Sequence, residues 1–473
     1  MALSSSISSR PRIVVDNIHG DIALTENEWA VVNTATFQRL RRIKQLGMGH
    51  LTYPNATHTR FAHSLGVFGT MCRILSRLDG GEPRVETRDK ENLRLAALLH
   101  DIGHYPYSHL VEMVDSVLLT EEQIGPRNKE LTVSRERYPN HEKVGQTIVE
   151  MQDDLVRAIG SKDRAREIGN LFAREKAADQ QLSKLIHSSL DMDRMDYLLR
   201  DAKAAGVPYG VVDLNYLLNS IKVSPKGVVG VDYKAIAAAE HFLLARLFMH
   251  RTVYFHKTTY AFEEACRQLL RRLRDTGEST LPADGNEVLQ WVAGRQLLDF
   301  TDDYVDKVIR EAETGSKDEV ARVLARCITT RRPPRLLAEV SGLHGKDQKH
   351  NACETFLREC VYRLQALAEK YQIAPGRFLI CRVKPIKFEE RSALLTRSEH
   401  DKLQPEEREE LIKVFVPGDP EPRSLIDVDG SVIGYLASQV YAIGRLYLAD
   451  PDSELSPQRL AEMVAEVQQW KQG

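Results

Sequence analysis

Ionisable side chains set within apolar helical sequence constrain this chain more than any other feature. His100 and Asp101 stand side by side in LRLAALLHDIGHYPYSH; His63 lies upstream in THTRFAHSLGV, and Asp193 lies downstream in DMDRMDYLLRDA. Burying such groups is costly unless they are paired or ligate a metal, so the fold must bring these distant segments together. Two imidazoles and two carboxylates offer four N/O donors, a set suited to a borderline or hard divalent cation and unlike a thiolate site. Neighbouring residues on a helix point about 100° apart, so His100 and Asp101 can serve one ion only from a helix end or distorted turn. Gly103 provides that end, and His104 shares a face with His100. Five histidines (His58, His63, His100, His104, His109) fall in two short segments, out of 15 in the chain. The pattern points to a metal-dependent phosphohydrolase.

The flanking sequence reads as mostly helical. A hairpin is expected over Ile13–Leu24, on either side of Asn17–Gly20, followed by helical pattern from Glu26. FQRLRRIKQLG reads as a helix capped by Gly47. In His58–Leu78, apolar residues at Phe61, Leu65, Phe68, Met71, Cys72 and Leu75 approach a 3.6-residue period. Asn92–Ile102 reads as a buried helix, and helices resume near Asn140 and over Asp191–Ala204. The charged segment Thr120–Pro139, with Gly125-Pro126, reads as an excursion or lid. A second hairpin is expected over Ile221–Tyr233, then one long helix from Tyr233 to about Arg274. Beyond RRPPR the texture changes. FLICRVKPIKF and LIKVFVPG look like strands, SVIGYLASQVYAIGRLYLA fits strand or helix, and an amphipathic helix begins near Ser456. The expected organisation is a disordered Ser-rich stretch at 1–9, a catalytic body at 10–330 and a smaller α+β region at 331–473.

Composition sets limits. A net charge of −2 gives no global basic field for gripping nucleic acid or a membrane, leaving only local patches. The six cysteines form no C-x-x-C pair, so free thiols in a reducing compartment, the cytoplasm, are expected. No apolar run approaches the ~20 residues that span a bilayer. The start of the chain lacks the apolar core of a signal peptide.

RFAHSLGV, LLHDIGHYPYSH, NHEKVG and DMDRMDYLLRDA, in this order, resemble the motifs of the HD-domain deoxynucleoside triphosphate triphosphohydrolases. The likeness runs from IVVDNIHGDIAL through QRLRRIKQLG to HRTVYFHK, with a weaker echo in the last third. It implies a mostly α fold: an HD-domain helical catalytic core with short β-hairpins and a smaller α+β C-terminal region. It also implies that His63, His100, Asp101 and Asp193 hold a divalent ion (Mg, Mn, Fe or Zn) that polarises the α-phosphate for attack by water.

His109 matches the family's general acid, and Glu112, where the family usually carries Asp, is spaced to orient it. Read alone, the two are more simply an exposed i,i+3 pair. Arg60, His104, His141, Arg194 and Arg246 align with phosphate contacts, His141 also belonging with the catalytic pair. Gln45, Leu46, Tyr197 and Tyr254 align with the sugar side, and Asp201 with the acceptor for the 3′-hydroxyl. Tyr197 and Leu46 also suit ordinary core packing. Together these residues imply dNTPs over ribonucleotides. Some relatives are homo-oligomers switched by a guanine nucleotide. Gln38 and Arg41 of that surface are retained here, but Asn33 replaces a carboxylate, and Val15 and Asp21 also depart from the pattern. A neutral amide cannot copy a bidentate carboxylate acceptor, so activation is expected to be absent or to use another nucleotide. Two rivals follow: another HD-fold phosphohydrolase, acting on cyclic nucleotides or guanosine tetraphosphate, and a nucleotide-sensing regulator of low turnover.

Overall fold

The computed structural model describes residues 11–78, 86–114, 138–173, 185–186, 190–278, 281–345, 352–387, 412–436 and 439–472. The stretch at 1–9 and nearly all of the Thr120–Pro139 segment lie outside these residues. The chain opens with the expected hairpin, β1 (Arg12–Asp16) paired antiparallel with β2 (Gly20–Leu24), Asp16 opposite Gly20. Helix α1 (Glu26–Val32) starts on a capping box formed by Thr25 and Glu28, which satisfies two orphan N–H groups at once.

The helix expected to run to Gly47 stops early. Helix α2 (Ala35–Gln38) passes into a 3₁₀ turn at Arg39–Arg42, and Ile43 is already extended. Tertiary bonds override local propensity here. The buried Arg39 guanidinium donates to the carbonyls of Phe300, Ile102 and His104. Beyond it the backbone pairs with the start of the next helix, Gln45 N with His58 O and Arg60 N with Ile43 O.

That next helix is α3 (Arg60–Leu78), whose buried Phe61, Leu65, Phe68, Met71 and Leu75 follow the expected stripe. It packs on α4 (Thr87–Leu99), which ends at His100. The short α5 (His109–Glu112) and then α6 (His141–Met151), α7 (Asp153–Ile159) and α8 (Lys162–Phe172) follow. Helix α9 (Met192–Ala205), N-capped by Asp191 and ended by Gly206 in the left-handed region, packs against α3. After α10 (Leu214–Ser220) come β3 (Ile221–Val223) and β4 (Val229–Asp232), the expected second hairpin. The long helix expected after it is divided. Helix α11 (Ile236–Met249) runs into a π turn at His250–Tyr254, and α12 (Lys257–Asp275) restarts after His256. The wider turn re-aims Tyr254 toward α9, where its hydroxyl binds Asp201.

Three more helices, α13 (Gly285–Ala293), α14 (Asp302–Gly315) and α15 (Glu319–Thr329), complete the helical body. The last third holds a three-stranded antiparallel sheet. Its central strand is β9 (Gln439–Leu448), with β5 (Arg335–Gly345) and β6 (Phe378–Lys387) on either side. Helices α16 (Ala352–Tyr371) and α18 (Pro457–Gln469) cover it, while α17 (Val432–Leu436) precedes β9. SVIGYLASQVYAIGRLYLA is thus helix first and strand second. Strand β6 serves two cores through its period of two: Phe378 faces the sheet-and-helix core, and Leu379, Cys381 and Val383 join the main helical core. LIKVFVPG yields only the short β7 (Lys413–Phe415), which pairs in parallel with β4 and antiparallel with β8 (Arg423–Ser424). Among the described residues no helix is long and apolar enough to cross a membrane.

Candidate active site

The four residues singled out first converge. His63, on α3, is fully buried, and its Nε2 stands 3.0 Å from Asp193 Oδ1 and 3.5 Å from Asp101 Oδ2. His100 ends α4; its Nδ1 donates to Ala97 O at 2.9 Å, which leaves the lone pair on Nε2. That Nε2 lies 3.3 Å from Asp101 Oδ1 and 3.9 Å from Asp193 Oδ1. Because the helix ends at His100, adjacent residues can face one pocket. Asp193, in the first turn of α9, stands at the mouth, with 36% of its side chain exposed.

The test of a metal centre is whether its donors lack other employment. His63 Nε2 and His100 Nε2 are both buried and both without a hydrogen-bond partner, and each points toward carboxylate oxygens. Ligand atoms of His63, His100 and Asp101 lie within 4.8 Å of one another. The field agrees. Burial opposes charge on Asp193, yet His100 and His63 hold its carboxyl well below the usual range. Arg60 and the histidines do the same for Asp101. Burial also opposes charge on His63, but the neighbouring carboxylates of Asp193 and Asp196 raise it to about 10. A pocket that so favours a proton on imidazole favours a divalent cation in its place. The donors fit such an ion.

Next to this centre lies a histidine cluster. The chain turns at Gly103, where a Cβ would stand 2.0 Å from His141 O and 2.2 Å from Gly145 N, so only glycine lets α6 approach. His104 Nε2 is 3.1 Å from Asp101 Oδ1, and its ring stacks on His141 with centroids 4.1 Å apart. Burial and the neighbouring Arg60 push His104 well below its ordinary value. Tyr107 and Ser108 both have positive φ, at 53° and 58°, and this strained turn delivers His109 to the mouth of the site. Glu112 then bridges two imidazoles. It accepts from His109 Nδ1 at 2.7 Å, from His141 Nδ1 at 3.2 Å and from His141 N at 3.1 Å. Despite burial, these two histidines hold Glu112 far below the usual carboxylate range. His141 is in turn raised, its burial outweighed by Glu112.

The remaining expected residues fall into three places. Arg60 is at the metal centre, donating to Asp101 Oδ2 at 2.6 Å and to Ser108 Oγ at 2.9 Å. On the far side, Asp201 accepts from His58 Nε2 at 2.7 Å and from the Tyr254 hydroxyl at 2.8 Å, and Tyr197 meets Tyr254 edge-on at 6.1 Å. Burial lifts the Tyr197 hydroxyl to about 12 against the pull of Arg246 and Arg194, which places both cations beside it. Gln45 is buried with an unpartnered Oε1, and Leu46 packs against the main core. Asn33, Gln38 and Arg41 are engaged in contacts of their own. Arg41 Nε donates to Gln38 Oε1 at 2.7 Å and its guanidinium covers the Phe61 ring, whereas Asn33 turns its amide back to Trp29 O.

Asp196 was missed in the sequence. It accepts from His63 Nδ1 at 2.7 Å, and its partners lie on three separate elements. The available signal was its spacing, three residues after Asp193 and four before Arg200 on one helix.

Residues 60–201 match the HD domain, and residues 212–312 match the HD associated region. An uncharacterized protein of Methanocaldococcus jannaschii is 34% identical over 250 residues, 52% of this chain and 46% of that one. The deoxynucleoside triphosphate triphosphohydrolase SAMHD1 homolog of Dictyostelium discoideum is 26% identical over 344 residues, 66% of this chain and 64% of its own length. The chain thus spans about half the length of the first of these relatives, and less than two thirds of the second. A crystal structure of a phosphohydrolase from Bacteroides thetaiotaomicron shares the fold, with a TM-score of 0.67 over 92% of this chain and 99% of that one, at 21% identity.

Proposed function

The chain belongs to the HD-domain phosphohydrolases, and from that premise we propose that it hydrolyses deoxynucleoside triphosphates to deoxynucleoside and inorganic triphosphate. The observation that carries this reading is the layout of α9. Asp193, Tyr197 and Asp201 recur every four residues along one face, so a single rigid helix supplies both the metal centre and the Tyr197–Tyr254–Asp201 cluster. A phosphate held at one end and a sugar at the other suit a nucleotide whose α-phosphate is the one attacked.

His63, His100, Asp101 and Asp193 would hold a divalent cation, which supplies Lewis-acid polarisation of the scissile phosphate. Arg60, Arg194, Arg246 and His104 gather around the triphosphate, where cations and N–H donors offset its charge. Water adds to the α-phosphorus and the bond to the nucleoside 5′-oxygen breaks. That oxygen is a poor leaving group, so His109 gives it a proton while Glu112 fixes the imidazole. His141, its hold on a proton strengthened by Glu112, completes the acid cluster and returns a proton to His109, while the proton lost by the attacking water passes to solvent. Tyr197 and Tyr254 close on the sugar, with Leu46 and Gln45 opposite, and Asp201 accepts from the 3′-hydroxyl. On this reading residues 10–330 are the catalytic body and 331–473 an α+β appendage. The enzyme works as a homo-oligomer in the cytoplasm, and any nucleotide activator meets Gln38 and Arg41 without guanine selection by Asn33.

The test is incubation of purified protein with each dNTP and a divalent metal, alone and in pairs, followed by ion-exchange chromatography. Equimolar deoxynucleoside and triphosphate are expected. Release of orthophosphate or pyrophosphate, or hydrolysis of cyclic nucleotides in preference to dNTPs, would contradict the proposal.

A further inference from the structure

The N-terminal hairpin reaches the metal centre through one buried carboxylate. Asp196 is fully buried and both its oxygens are engaged. Oδ2 accepts from His63 Nδ1 at 2.7 Å and from Arg200 Nε at 2.8 Å. Oδ1 accepts from His19 Nε2 at 2.6 Å and from a second Arg200 nitrogen at 2.8 Å. Arg200 extends to Asp16 Oδ2 at 2.9 Å, and Asp16 Oδ1 accepts the backbone N–H of Ile18 and His19, so the same turn that binds Arg200 presents His19. The His19 ring is only 2% exposed. A Cβ on Gly66, three residues after His63, would stand 1.9 Å from Asp196 Oδ1, so the carboxylate rests directly on α3.

We propose that His19 and Asp196 are positioning residues for His63, making the docked hairpin part of the metal centre through the Asp196 carboxylate. This rests on the reading of His63 as a ligand. An acceptor at Nδ1 fixes the tautomer that leaves the lone pair on Nε2, the atom directed at Asp193 and Asp101. A negative acceptor also makes that lone pair a stronger donor. His19 and Arg200 hold the carboxylate from the side away from His63. Removing His19 takes away one of its four contacts and with it the fixed angle of the ligand ring.

The experiment titrates apo-protein with Mn²⁺ by calorimetry and with Co²⁺ by visible absorption, following thermal unfolding of each apo-protein alongside. The proteins are wild type, His19→Ala, His19→Gln, Asp196→Asn, His63→Ala and the His19→Ala/His63→Ala double variant. Metal affinity is expected to fall about 10–100-fold in His19→Ala and in Asp196→Asn, with an altered Co²⁺ spectrum. His19→Gln, which keeps a donor, recovers part of the loss, and it carries the comparison should His19→Ala fail to fold. In the His63→Ala background, His19→Ala causes no further loss. Affinity within about twofold of wild type in both His19→Ala and Asp196→Asn overturns the proposal, since such partners ordinarily matter tenfold or more. So does an equal loss with and without His63. A wild-type protein that takes up neither metal overturns the reading of the metal centre itself, a different result from unchanged affinity in the variants.

Discussion

Replacing Glu112 by glutamine tests the acid cluster with little change of shape. The carboxylate receives N–H groups from His109 Nδ1, His141 Nδ1 and His141 N at 2.7, 3.2 and 3.1 Å. An amide keeps one acceptor oxygen but turns an NH₂ toward another donor and removes the charge. The half-buried bond to His141 is of the charged kind, worth about 2 kcal/mol. The bond to His109, whose side chain is 57% exposed, is discounted for solvent to about 1 kcal/mol. About 3 kcal/mol off the transition state is about two orders of magnitude in kcat. KM should change little, because Glu112 does not contact the substrate. The pH profile gives a second readout. Burial opposes charge on His141 and Glu112 outweighs it, so the protonated imidazole persists to higher pH in the wild type. Without the carboxylate the alkaline limb of kcat moves to lower pH. Initial rates of deoxynucleoside release between about pH 6 and pH 9 would show both effects, since that range brackets an ordinary histidine. A variant with kcat within about threefold of wild type and an unmoved alkaline limb would refute the acid role, which is worth about 10²-fold or more.

Four further outcomes follow from the same geometry. The His100→Ala/Asp101→Ala variant should lose bound metal by elemental analysis and lose turnover, while circular dichroism stays helical; full metal occupancy would sink the assignment. Tyr254→Phe removes the 2.8 Å bond to Asp201, and kcat/KM for dNTPs should fall about tenfold, as a bond to a charged acceptor warrants; in Tyr197→Ala, ATP should gain on dATP, and an unchanged ratio would end the sugar-gate reading. Gly103→Ala pushes a Cβ to 2.0 Å from His141 O, so denaturant unfolding should report a loss of about 1–3 kcal/mol or more, and no loss would mean that α6 can retreat freely.

The sequence carried much of this site because its chemistry is costly to bury. His63, His100, Asp101 and Asp193 stood out against apolar neighbours, and aiming two adjacent residues at one ion called for a helix end or distorted turn, which the structure supplies at His100, three residues before the expected Gly103. What it hid was set by contacts across long separations. His19 and Asp196 lie 177 residues apart, so neither carries a local sign of the other. Arg39 looked like part of a continuing helix, yet its guanidinium holds Phe300, Ile102 and His104 carbonyls and ends that helix early. The π turn at His250–Tyr254 left no trace in the apolar period, because five residues of wider turn barely disturb it. Strand β5 and helix α16 also went unread. On β5 the adjacent buried pair Leu337 and Ala338, and the exposed Leu343, break the clean alternation of a half-buried strand, and α16 carries polar residues around much of its surface.

The most direct test of the central claim is hydrolysis of a dNTP in H₂¹⁸O, with mass spectrometry of both products from a single turnover. Attack of water on the α-phosphorus predicts one ¹⁸O in the inorganic triphosphate and none in the deoxynucleoside. Label in the deoxynucleoside, or a product set of dNMP with pyrophosphate or dNDP with orthophosphate, would contradict it.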